Sequence, residues 1–463
     1  MGTVGEAVEH PRYGRGTVVA VYRGGADWLV RFQSGLRFRR PREEFAGADG
    51  AVAVPTVPRY EPPPPMPRDR YEARSVVESL RVGIAPQRHL RQLTIGMGDE
   101  RADLAAALNR AHAKGGDVRA IIGEYGFGKS HLLQLAAEEA LARNFLVAST
   151  SLDLEELPAH RAFAVYTALA RSVRYPDGDE AGLGPLLDAA AKRPDVLALL
   201  RERAPVAGDP LQIALTALES GPPRRMRAAY RDWLMGGRRL PEMRKVLARG
   251  TRMPTIYTTG YNARQLAYLL TALSALARAA NYSGLVVLVD EAESYALLRP
   301  RDREKAGVFF GALVAGALGP GGHRIADEAI PEHRHVAYPP SFGSGQGLLF
   351  LFTLTHSDQR MPLERWLEPA QVRVLDPRPS VRDIGQFIGQ VLAYHAAAYD
   401  YAPDVRHGQV RRAATEHLAA AVRGGRLSMR GVVRHTVELL DLLFLHPEYD
   451  AAQILDELQQ QLR

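Results

Sequence analysis

Residues 118–131 read Val-Arg-Ala-Ile-Ile-Gly-Glu-Tyr-Gly-Phe-Gly-Lys-Ser-His, and Gly123 to Ser130 fit the spacing G-x-x-x-x-G-K-S. Glycines at 123, 126 and 128 let a backbone turn so that successive N–H groups converge on an anion. Lys129 is placed to reach β- and γ-phosphates, and the Ser130 hydroxyl to sit on Mg²⁺. Glu124, Tyr125 and Phe127 fill the loop, and His131 follows it. Of 59 cationic residues only Lys114, Lys129, Lys192, Lys245 and Lys305 are lysine. A chain that otherwise uses arginine places a compact ammonium where a phosphate cradle needs one.

Such a loop needs a strand before it and a helix after it. Val118 to Ile122 is an apolar run that reads as a short buried strand, and His131 to Ala142 carries apolar residues at helical spacing. The helix start adds its positive end to the anion site. A second motif lies about 160 residues beyond Lys129, where Leu285-Val286-Val287-Leu288-Val289 runs into Asp290-Glu291-Ala292-Glu293. A wholly apolar strand is buried on both faces, as in a parallel sheet, and its carboxyl end is where such sheets bind ligands. After a phosphate loop this is a Walker B pattern. Asp290 would hold Mg²⁺ through water, and Glu291 would orient the attacking water.

With 463 residues the chain has room for two to four domains, and 46% hydrophobic and 24% charged residues suit a globular protein. A net charge of +7 favours an anionic partner. The absence of cysteine excludes disulfides and cysteine-ligated zinc. Met1 to His10 lacks the basic flank and apolar core of a secretory signal, and the most apolar stretch, Leu266 to Ala280, contains Ser274 and Arg278. No membrane partner and a cytoplasmic location are therefore expected. His323, His333 and His335, with Glu328 and Glu332, fit no zinc spacing.

The expected fold is α/β: a parallel sheet carrying the phosphate loop, with a helical insertion and a C-terminal helical lid, preceded by a small all-β barrel. Residues 1–45 hold strand signals around Val18, Trp28 to Phe32 and Phe38. Residues 46–70, with the proline run Pro62 to Pro65, form an extended linker. Residues 71–378 form the core and 379–463 the lid. Within the core, 177–250 reads as a helical insertion with a basic cluster of Arg224, Arg225, Arg227, Arg231, Arg238, Arg239, Arg244, Lys245 and Arg249. Such a cluster suits a DNA backbone.

The phosphate loop and Walker B strand together resemble P-loop ATPases of the AAA+ type. That resemblance implies three further roles. The segment before the first strand would build the adenine pocket, with Ile95 and Gly96 as candidates. The polar end of the Gly347 to Leu354 strand would feel the γ-phosphate, through Thr355 first and Thr353 second. Arg430, opening a C-terminal helix, would reach back to the phosphates. The proposed catalytic set is Glu291, Lys129, Thr355 and Arg430. Arg360 and Arg365 stand as candidate arginine fingers for a neighbouring subunit.

Two more specific resemblances follow from quoted residues. Leu80 to His89, Ile121 to His131 and the Asp290-Glu291-Ala292-Glu293 strand end resemble the BREX-system ATP-binding proteins of bacterial phage defence, a BrxD-like, ORC-related P-loop family, over residues 71 to 445. This implies an ATPase working on or near DNA beside a helicase and a PglZ-type protein, as a homo-oligomer. His10-Pro11-Arg12-Tyr13-Gly14-Arg15-Gly16-Thr17-Val18 is similar to SH3/Tudor-like modules of UvrD-type helicases and CarD-like proteins, with Tyr13 in place of Phe. Those modules bind RNA polymerase or nucleic acid. The competing function is a nucleotide-gated assembly switch with slow turnover. A kinase is a third option, for which no acceptor site is visible.

Overall fold

The computed structural model describes residues 4–11, 13–33, 37–45, 68–84, 86, 89–205, 209–246, 255–258, 261–333, 335–343, 345–355, 361–376 and 378–455. The proline run, Arg249 and Arg360 lie outside these residues, as do the side chains of Arg244 and Lys245. The chain divides into two compact units, Met1–Pro65 and Met66–Arg463.

The first unit is a four-stranded antiparallel meander of β1 (Ala7–His10), β2 (Gly14–Tyr22), β3 (Asp27–Phe32) and β4 (Arg37–Pro41), in that order. Alternation along β3 turns Trp28, Val30 and Phe32 inward, where they pack with Val8, Val18 and Phe45. A register shift between Val18 and Ala20 bends β2 over this core. Tyr13 and Phe38 lie 4.8 Å apart at its rim. The four antiparallel strands fit the small all-β module expected from the sequence.

The second unit is built on five parallel strands: β5 (Gly116–Ile122), β6 (Leu146–Ser151), β7 (Leu285–Asp290), β8 (Leu348–Leu354) and β9 (Val372–Val374). Their order is β6-β7-β8-β5-β9. The strand β8 thus separates the strand carrying the phosphate loop from the strand carrying Asp290. Three strand ends come together at one edge of the sheet, which is where open α/β sheets bind ligands.

Helices cover both faces. They are α1 (Arg68–Arg81), α2 (Gly98–Lys114), α3 (Lys129–Ala142), α4 (Ala162–Arg171), α5 (Gly184–Ala191), α6 (Pro194–Arg203), α7 (Pro210–Glu219), α8 (Arg224–Leu234), α9 (Ala263–Ala279), α10 (Pro300–Leu318), α11 (Leu363–Trp366), α12 (Val381–Tyr399), α13 (Val405–Arg423) and α14 (Met429–Leu445). Successive strand residues feed opposite layers. Ile121, Val286, Leu288 and Leu351 pack on α2 and α3, while Ala120, Ile122, Val287 and Phe352 pack on the side of α9 and α10.

The insertion is helical as expected. Tyr230, Trp233 and Leu234 of α8 are buried, and so are Leu211, Ala214 and Leu215 of α7, in the same layer as α9. The last three helices form a bundle whose core includes Ile384, Phe387, Val410, Val432 and Leu440. Ala73, Val76, Val77 and Leu80 of α1 join that core, although the sequence division groups α1 with the sheet. The helix α1 also begins at Arg68, inside the span expected to be linker.

Candidate functional site

Glycine has two different uses in the phosphate loop. Gly126 and Gly128 adopt φ of +81° and +91°, a region that side chains strain to reach. Gly123 is not in that region. A Cβ there would stand 3.1 Å from Leu375, so its need is space beside the end of β9. Gly128 also lies under Met97, whose Cε would be 2.6 Å from a Cβ at that position.

The first hydrogen bond of α3 runs from Leu132 N–H to the Gly128 carbonyl at 2.9 Å. The N–H groups of Lys129, Ser130 and His131 precede it and point out of the helix start. Helix and loop together give the backbone arrangement an anion needs.

Lys129 folds back over its own loop. Its Nζ donates to the Gly123 carbonyl at 2.9 Å, the Glu124 carbonyl at 3.3 Å and Thr355 Oγ1 at 3.0 Å. The Thr355 hydroxyl in turn donates to Glu293 Oε1 at 2.7 Å. Thr353, the second candidate at this strand end, is fully buried and donates to Asp290 Oδ1 at 2.5 Å. The two threonines therefore divide the work: Thr353 fixes Asp290, and Thr355 meets Lys129.

Glu291 takes a left-handed conformation, φ 55° and ψ 33°, that only a minority of non-glycine residues adopt. Its N–H donates to Asp290 Oδ1 at 3.0 Å and to Thr353 Oγ1 at 3.1 Å. Desolvation raises its carboxyl above the usual carboxylate range; Asp290 and Glu293 push the same way, and Lys129 opposes. A carboxyl in that setting takes up a proton more readily than a solvated one, which suits a group handling water.

A cleft of about 300 Å³ opens over these residues. This is the lower end of the size range for small-molecule sites. One side carries Tyr125, Gly126, Gly128, Lys129, Ser130, His131, Asp290 and Glu291. The other is apolar, with Leu80, Ile84, Leu93, Ile95, Met97 and Val433. Ile95, an adenine candidate, lines the cleft. Gly96 does not line the cleft: it turns with φ +67° toward Asp383, and Met97 takes the wall position. Gly123, Glu124, Phe127 and Thr355 also lie behind the lining, reaching the cleft through Lys129 or the loop backbone.

His131 joins the phosphate helix to the segment 90–95 on the apolar side of the cleft. Its Nε2 lies 2.9 Å from Thr94 Oγ1, and that hydroxyl spends its one proton on the Leu90 carbonyl. His131 therefore donates through Nε2 as a neutral imidazole. Burial pushes its pKa down to about 4, in agreement with that tautomer.

Arg430 comes from the lid, in the first turn of α14, where Ser428 caps the helix. Its guanidinium stacks 4.6 Å from the centre of the Tyr125 ring and hydrogen-bonds the tyrosine hydroxyl. Its stem passes Gly83, where a Cβ would come within 2.8 Å of Arg430 Cγ. Arg365 is exposed on α11.

Ser130 and Asp290 would hold Mg²⁺. Both line the cleft, and a magnesium site of this kind takes few protein ligands because phosphates and waters supply the rest. Among the described residues no group of three or more His, Cys, Asp or Glu is placed to hold a metal by itself. Near the histidine-rich loop, His333 stacks on Tyr257 at 3.7 Å.

Sequence reasoning underweighted Glu293, Met97, Thr94 and the lid residues Met429 and Val433. For Glu293 the signal was present, a second glutamate two positions after Glu291. For the others there was none, because the cleft wall is assembled from segments far apart in the chain.

Residues 69–191, from α1 through the phosphate loop to α5, match the family model described as BREX system ATP-binding protein BrxC/D. The resemblance drawn from sequence ran on to residue 445, beyond that match. No curated protein matches the chain. Among solved structures, the Walker-type ATPase of Pyrococcus abyssi aligns over 79% of this chain and 71% of its own, at 13% identity and a TM-score of 0.33. Over residues 69–191, therefore, the chain is similar to the BREX system ATP-binding proteins BrxC/D.

Proposed function

We propose that this protein binds ATP with Mg²⁺ and hydrolyses it, acting on or near DNA beside other components of a bacterial phage-defence system. The observation that carries this reading is the Lys129–Thr355 contact of 3.0 Å, which joins the phosphate loop to the strand end beside Asp290 and Glu291. Phosphoryl transfer depends on positioning and on stabilising charge, and this cleft supplies both. The loop N–H groups and Lys129 would bind the phosphates. Glu291 would orient the attacking water, Thr355 would sense the terminal phosphate, and Arg430 would add a cation from the lid. Mg²⁺, when bound, would neutralise phosphate charge. Leu80, Ile95 and Met97 would exclude water from the base.

The insertion supports the DNA part of the proposal. Arg224, Arg225, Arg227, Arg238 and Arg239 are exposed. Arg231 is instead paired with Asp188 inside the domain. The all-β unit serves as a recruitment module, and the protein works as a homo-oligomer with helicase and PglZ-type partners. No helix among the described residues is long and apolar enough to cross a membrane.

One observation favours a second reading, a nucleotide-gated switch with slow turnover. Lys129 already directs its donors at protein atoms, and Arg430 is already engaged by Tyr125. The test is phosphate release from ATP, with and without DNA, in wild type and Glu291→Gln. A DNA-stimulated rate that falls at least about 100-fold in the variant, with ATP still bound, supports hydrolysis on DNA. Slow release that DNA leaves unchanged favours the switch. A variant hydrolysing at the wild-type rate removes Glu291 from the mechanism.

A further inference from the structure

Glu293 is the one carboxylate of the cleft with no task in the reaction just described. It sits in the short turn Ala292–Leu297 after Walker B. Its Oε1 accepts from Thr355 at 2.7 Å and lies 3.9 Å from Lys129 Nζ. Its Oε2 is buried with no hydrogen-bond partner among the described residues.

The Thr355 hydroxyl has one proton and two lone pairs. Here the proton goes to Glu293, so the lone pairs face Lys129, and Lys129 donates to them. The donors of Lys129 are directed at Gly123, Glu124 and Thr355. A phosphate must draw the ammonium out of this cage. Thr355 can donate to a phosphate oxygen only by turning its proton away from Glu293. One hydroxyl proton with two competing acceptors makes a two-position element.

We propose that Glu293 is a positioning residue that holds Lys129 and Thr355 in a resting arrangement and reclaims them when product leaves. The proposal rests on the ATP reading of this site. The negative charge of Glu293 attracts the ammonium back and repels phosphate, so it weakens nucleotide binding and hastens release. Glu293 acts through Lys129 and Thr355.

The test is to measure ATP and ADP affinity and kcat in the full chain for wild type, Glu293→Gln and Glu293→Asp. Glutamine keeps the size and an acceptor oxygen but loses the charge. Glu293→Gln is expected to bind both nucleotides at least about threefold tighter and to turn over more slowly, with ADP release limiting. Glu293→Asp, which keeps the charge, should stay near wild type. A merely structural glutamate would give the opposite, weaker binding in both variants. If Glu293→Gln fails to fold, Glu293→Ala removes the same charge, and its ADP affinity should rise. Unchanged or weaker binding in a folded Glu293→Gln, while Lys129→Ala abolishes binding, overturns this proposal alone. Equal ATP binding by wild type and Lys129→Ala overturns the ATP reading and this proposal with it.

Discussion

The guanidinium of Arg430 lies 4.6 Å from the centre of the Tyr125 ring, so the first turn of the lid helix rests on the loop built to hold phosphates. Arg430 N–H also approaches the Gly126 carbonyl at 3.4 Å. Lid and loop are therefore in direct contact through Arg430.

A first prediction concerns that cation. Arg430→Ala should weaken ATP binding by about 1.5 to 3 kcal/mol, the worth of a charge-assisted hydrogen bond, and weaken ADP binding less. Parallel titrations of the two nucleotides check this. An unchanged ATP affinity would leave Arg430 a packing residue on Tyr125.

Gly83 offers a test of how Arg430 reaches the loop. It adopts φ +74°, and a Cβ there would stand 2.8 Å from Arg430 Cγ. Gly83→Val should therefore destabilise the protein by about 1 to 3 kcal/mol through backbone strain and displacement of the arginine stem. Thermal melting beside a Gly24→Val control provides the measurement, since Gly24 has nothing within 4 Å. Equal losses in both variants would assign the cost to backbone strain alone.

A third prediction is pH dependence from His131. Its pKa is pushed down to about 4 from an ordinary 6.5. Above about pH 6.5 the imidazole is neutral in folded and unfolded chains and contributes no slope. As pH falls from 6.5 toward 4, the unfolded chain takes up a proton that the folded one refuses, so stability declines. The decline amounts to at most about 3 kcal/mol. Denaturant unfolding at pH 7 and pH 5 should show a steeper loss for wild type than for His131→Gln. Parallel losses would contradict the neutral imidazole with its lowered pKa.

What was legible in the sequence was whatever local pattern decides. The Gly123 to Ser130 loop, its flanking strand and helix, and the Asp290-Glu291 strand end all follow from residue types at fixed spacing. The strand β9 was missed because Val372–Val374 is too short to show a period. The placement of α1 was missed because its apolar face suits any apolar surface, and only the fold selects the lid core. Thr355 was placed ahead of Thr353 at the same strand end, but their partners were not legible in the sequence. Their different partners are Asp290, at the end of β7, and Lys129, which opens α3 after the loop that follows β5. Gly96 was a candidate and Met97 was not, because the direction of a loop side chain is set by tertiary contacts.

The all-β unit yields a fourth prediction. Its core of Val8, Val18, Trp28, Val30, Phe32 and Phe45 is its own. Deleting residues 1 to 66 should leave intrinsic ATP turnover within about twofold of wild type. Turnover lost on deletion would make the unit part of the catalytic body.

The most direct measurement of the central claim is calorimetric titration of ATP with Mg²⁺ into wild type and Lys129→Ala, with folding of both confirmed by thermal melting. Lys129 is the cation of the loop and the partner of Thr355. The account predicts saturable binding by wild type and no detectable binding by a folded Lys129→Ala. Wild-type affinity in the folded variant would contradict it.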